Sequence, residues 1–127
     1  MRASSARLRD SAVRLSDLSF PASGVLLPRT RLAFVHLDNL ISFAKADREG
    51  RVDAYLAGYL PDEVILLFFR NGEPVNAGAI RPETRCVLPV EEALGRLRAD
   101  LERGEATYAM APGEQLDWMF ASCAAPA

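Results

Sequence analysis

The chain has 127 residues, half of them hydrophobic and a quarter charged, with a formal net charge of −2. That length suits one domain with a real core, and the composition is that of a globular protein. The acidic balance argues against the basic face of a nucleic-acid binder and gives no reason to expect an anionic membrane surface as partner.

Met1–Ser23 is rich in Ser, Arg and Ala, and its apolar residues Leu8, Val13, Leu15 and Leu18 recur only weakly. A flexible arm over residues 1–23 is expected, ending near Pro21, with a single domain over 24–127. Met1–Asp10 starts basic with no apolar stretch behind it, so no secretory leader is expected. Gly24–Leu27 reads as a short strand stopped by Pro28, with Pro28–Arg31 as a loop. Leu32–Val35 reads as a turn or strand. Leu37–Asp47 reads as a helix, since Leu37, Leu40, Ile41 and Ala44 recur at three- and four-residue spacing and Gly50 supplies a stop.

A sheet follows. In Arg51–Leu56, Val52, Ala54 and Leu56 alternate with Arg51, Asp53 and Tyr55, the pattern of a strand covered on one side. Tyr59–Asp62 reads as a turn. Val64–Phe69 is apolar on both faces and reads as a central strand. Asn71-Gly72 then joins it to Glu73–Ile80 by a type I′ turn, which needs positive φ at both residues. Arg85–Leu88 reads as a further short strand, and Val90–Arg103 as a helix closed by Gly104. Its apolar stripe is Val90, Ala93, Leu94, Leu97 and Leu101. Glu105–Met110 alternates as a strand or extended return, and Gln115–Cys123 reads as a last helix. The fold class expected is α+β, a mainly antiparallel sheet of three to five strands with helices packed on it. No apolar run approaches the ~20 residues of a membrane-spanning helix, and a cytoplasmic protein is expected.

Residues able to carry chemistry are scattered. His36 is the only histidine, and no Cys/His spacing accompanies it. Cys86 and Cys123 lie far apart, and both read as small buried residues, although one disulfide between them is compatible with the sequence. A Cys86/His36 dyad requires the fold to bring the two together. Asp47, Glu49, Asp53, Asp62 and Glu63 cluster along the chain, interleaved with Arg48 and Arg51, as solvated turn charges do. No catalytic, metal or cofactor site is assigned. Tyr55 lies on the polar face of its strand, Tyr59-Leu60 on a turn and Trp118 off the apolar stripe of the last helix, and exposed aromatics of this kind are enriched in protein contacts. They are the candidate partner-binding residues, unless a helix covers that sheet face. As an alternative, the small residues Ala77–Ala79 leave room for a ligand pocket under the helices, with Asn76 or Arg81 orienting an anion.

From Leu37 to Gly78 the chain reads LDNLISFAKADREGRVDAYLAGYLPDEVILLFFRNGEPVNAG. This resembles the PATAN-like domains of bacterial signalling proteins, which carry a leucine-bearing helix, a Gly opening a strand and an F-x-x-G-x-x-x-x-A hairpin. Phe69, Gly72 and Ala77 stand at those positions. The later helix with Leu94 and Leu97, then Arg103-Gly104-Glu105 and the run to Met110, looks like that family's second half. The resemblance implies a non-enzymatic adaptor without a cofactor, in bacterial signalling or polarity and motility control. Its implied partners are other signalling proteins: response regulators, small GTPases or Roadblock-type proteins. Apart from the resemblance, a homodimer is a further arrangement open to the chain.

Overall fold

The structure, a computed structural model, describes residues 15–40 and 53–124. Six strands form one antiparallel sheet: β1 (Gly24–Arg31), β2 (Ala54–Tyr59), β3 (Val64–Arg70), β4 (Glu73–Ile80), β5 (Arg85–Leu88) and β6 (Glu105–Met110). Their order across the sheet is β1-β6-β2-β3-β4-β5. Helix α1 (Val90–Ala99) packs on one face and α2 (Gly113–Ala124) on the other. The fold is α+β as expected, with six strands where three to five were expected. No described helix is long and apolar enough to cross a membrane.

Asn71 and Gly72 have φ of 54° and 82°, and Arg70 pairs with Glu73 across the turn. Both central residues therefore take the left-handed conformation that a type I′ hairpin demands. Every residue of Val64–Phe69 is buried, because β3 is central and helices cover both its faces. Pro74 lies at a register shift in β4, beyond the span that β5 pairs, so its missing N–H breaks no ladder bond to β5.

Four sequence expectations change. Of the strand expected at 51–56, Arg51 and Val52 lie outside the described residues; the strand observed is Ala54–Tyr59, and all six of its residues are buried. Ala54 and Leu56 face α1, whereas Tyr55, Ala57 and Tyr59 join the core on the α2 side, so β2 has no solvent face. The loop expected at Pro28–Arg31 is strand. Pro28 is tolerated because β1 is an edge, and its pairing with β6 is irregular on both sides of Leu27. Helix α1 stops at Ala99, and Asp100–Arg103 forms a turn in which the Gly104 N–H donates to the Asp100 carbonyl at 2.9 Å. Gly104 is small for want of space: a Cβ there would lie 2.8 Å from Leu60 and 3.0 Å from Leu32. Finally, residues 15–23 pack against the sheet, with Leu15, Leu18 and Phe20 against the α2-side core. The arm expected to be free is docked over that span, and residues 1–14 lie outside the described residues.

Residues 32–34 form a 3₁₀ turn and residues 37–40 are helical. The remainder of the helix expected to reach Asp47 lies outside the described residues. Each sheet face is covered in two halves. On one, α1 lies over β3 and β4, while Leu32, Val35 and Leu37 join the core beside it. On the other, α2 lies over β3, β4 and β5, and the arm covers Tyr55 and Tyr59 on β2.

Candidate partner-binding surface

The four candidate aromatic and apolar residues separate. Tyr55 is 2% exposed, and Tyr59 and Leu60 are also buried. Tyr55 and Tyr59 point from β2 towards the arm. Their hydroxyls donate to the Phe20 carbonyl at 2.9 Å and the Leu18 carbonyl at 2.7 Å. The Phe20 ring meets Tyr55 edge-on at 6.1 Å between centroids. The Arg29 guanidinium stacks 3.7 Å from the Tyr59 ring centre. Burial, with a smaller contribution from Tyr59, pushes the Tyr55 hydroxyl up to about 12. Burial also raises Tyr59, partly offset by Arg29. Leu60 faces the opposite core. These three residues are interior, so the surface expected around Tyr55 does not exist in this state.

Trp118 is different: it is 66% exposed. On α2, Leu116, Met119 and Cys123 turn to the sheet. Glu114, Asp117, Trp118 and Ala121 turn to solvent at three- and four-residue spacing. The result is one helix stripe with an indole at its centre and two carboxylates at its N-terminal end. Arg70 fixes the start of this helix. It pairs with Asp117 at 2.8 Å, and its guanidinium fills the space in which a Cβ of Gly113 would sit. Arg70 also faces Asp53 at 3.7 Å, which ties α2 to the hairpin end of the sheet.

The residues weighed for chemistry stay apart. His36 is exposed, has φ of 55°, and borders a cleft of about 430 Å³ with Leu32, Asp38, Arg98 and Leu101. Cys86 lies on the edge strand β5, paired with Ala79 and packed on the α1-side core, whereas Cys123 sits in the α2-side core. Both thiols are free, and they belong to opposite faces. Burial raises the Cys123 thiol, the opposite of what nucleophilic activation needs. Of the acidic cluster, Asp47 and Glu49 lie outside the described residues. Asp53 accepts from the Asn71 N–H, while Glu63, at the other end of β3, accepts from Arg81 and Arg96. Seven residues of strand put these two carboxylates roughly 20 Å apart. Asp62 is exposed in the turn between β2 and β3.

The small residues of β4 serve packing. Ala77 and Ala79 lie in the core with Ala93 and Leu97 of α1, and a Cβ on Gly78 would meet Cys123 of α2. Helices occupy the space in which a pocket was expected, and Arg81 is bound to Glu63. Among the described residues, no group of three or more His, Cys, Asp or Glu is placed to hold a metal ion. The docked arm was missed in the sequence, where Leu15, Leu18 and Phe20 form no helical or strand period; the signal lay in the tyrosines it covers.

No family model matches the chain, and no curated protein or solved structure does either.

Proposed function

We propose that this domain is a protein–protein interaction module that docks through the outer face of α2. The observation that carries this reading is Trp118, two-thirds exposed at the centre of a stripe anchored by Arg70. Indoles combine large apolar area with few rotamers, and buried tryptophans dominate interface energetics. The partner surface that fits is an apolar pocket rimmed by Lys or Arg, which would face Glu114 and Asp117. The PATAN-like resemblance points the same way, to an adaptor in bacterial signalling whose partner is another signalling protein.

A photo-crosslinking residue at Ala121, beside Trp118 on the stripe, tests this in an extract of cells that express the gene. The expected result is one dominant adduct that disappears when Trp118→Ala is added. An adduct indifferent to Trp118→Ala, or the absence of any adduct, refutes the assignment.

A further inference from the structure

The arm is seated in a way that separates it from the rest of the core. The residues beneath it are buried, but none of residues 15–23 is: Leu15, Leu18 and Phe20 are half-buried and the others exposed or nearly so. Its hold is also unusual in kind. Tyr59 donates to the Leu18 carbonyl, Tyr55 to the Phe20 carbonyl, Arg29 to the Ser16 carbonyl at 2.7 Å and Gln115 to the Pro21 carbonyl at 2.6 Å. All four bonds run from side chains of the domain to main-chain oxygens of the arm. These four bonds recognise the course of a backbone, a 3₁₀ turn over Leu15–Asp17 followed by irregular chain, without reading its side chains. The apolar positions 15, 18 and 20 are selected by the core against which they pack, and at the far end Ser23 donates both its N–H and its hydroxyl to the Met110 carbonyl, at 2.8 and 3.2 Å.

We infer that the groove between α2 and β1 is a peptide-docking site, and that the arm is its intramolecular occupant. The partner it fits is a segment of another protein that follows the arm's course, one 3₁₀ turn and then an open chain, with apolar residues at the spacing of Leu15, Leu18 and Phe20, the last aromatic to meet Tyr55. A tethered occupant competes at an effective concentration in the millimolar range. A free segment therefore binds the intact protein weakly until the arm is released. This site is distinct from the Trp118 stripe, although Gln115 of α2 lines it.

The test uses the full chain and a labelled synthetic peptide of residues 15–23, followed by fluorescence anisotropy. The Leu18→Ala/Phe20→Ala protein, whose own arm is weakened, is expected to bind the peptide at least tenfold more tightly than wild type. A second peptide keeps the three apolar residues but replaces those between them with threonine and asparagine. It is expected to bind within threefold of the first, and a peptide with serine at the three apolar positions is expected not to bind. Equal binding to both proteins, binding to neither, or failure of the second peptide overturns the inference. Hydrogen exchange on wild type gives a reading that does not depend on the variant's folding. Amides 15–20 are expected to exchange at least a hundredfold faster than those of β2 and β3; exchange only with global unfolding overturns the inference. A concentrated wild-type sample that forms an arm-exchanged dimer would assign the groove to a second copy and overturn it as well.

Discussion

Gly78→Ala tests how closely α2 is seated on the sheet. Gly78 is buried in β4, opposite Val87 of β5. A Cβ there would stand 2.6 Å from the Cys123 Sγ, 2.9 Å from the Cys123 Cβ and 3.2 Å from the Cys86 carbonyl oxygen. Relaxed carbon contacts lie near 3.5–4.0 Å, so α2 must retreat by about 1 Å or β4 must bend. Overpacking of this kind costs about 1–3 kcal/mol. Replacing a strand glycine returns roughly 0.5–1 kcal/mol through the lower entropy of the unfolded chain. The net expectation is a loss of about 1–2 kcal/mol, seen in urea unfolding as a lower midpoint with unchanged slope. In Gly78→Ala/Cys123→Ala the thiol is gone, and the two changes are expected to couple favourably by at least about 0.5 kcal/mol. A Gly78→Ala protein as stable as wild type, or additive losses in the double variant, would refute the close seating of α2.

Gly95 gives the opposite expectation, because nothing lies within 4 Å of a Cβ built on it and it sits exposed in α1. Gly95→Ala should stabilise by roughly 0.5–1 kcal/mol on the same urea assay. Tyr55 gives a pH dependence whose sign follows from burial. Its hydroxyl ionises at about 12 in the folded protein, against an ordinary 10. Below pH 10 both states hold the proton; between the two values the unfolded chain loses it first, so stability falls as pH rises. The slope from this group approaches about 1.4 kcal/mol per pH unit. Tyr55→Phe lacks that dependence but gives up a hydrogen bond worth about 0.5–1.5 kcal/mol. Wild type should be the more stable below pH 10 and the less stable by about pH 12, so the two stability curves should cross; parallel curves would contradict the burial of that hydroxyl.

Local signals carried the hairpin and both longer helices. Asn71-Gly72 admits only one turn geometry, and the stripes of α1 and of α2 have the helical period. Val64–Phe69, apolar on both faces, implied a central strand covered more completely than its neighbours; it is central and buried, but neighbouring β2 is buried throughout as well. What the sequence hid was long-range. Asp53 looks like part of the polar face of a strand, whereas it stands just before β2, which begins at Ala54. Pro28 reads as a stop until β1 is known to be an edge. Tyr55 and Tyr59 look exposed because their cover is a segment without periodicity, held through its own carbonyls. That cover buries Tyr55 and Tyr59, the opposite core buries Leu60, and Trp118 alone of the four stays exposed, its position off the helix stripe visible from spacing alone.

Trp118 is the only tryptophan in the chain, so its emission reports on α2 without a label. Burying its exposed two-thirds would release an area worth roughly 2–4 kcal/mol, which matches an interface hot spot and a loss of thirtyfold or more in Trp118→Ala. The decisive measurement is the emission and acrylamide quenching of wild type, alone and saturated with the partner captured at Ala121. A blue shift with loss of quenching is expected on binding. Solvent-exposed emission that stays unchanged in the saturated complex would show that the outer face of α2 is not where the partner sits.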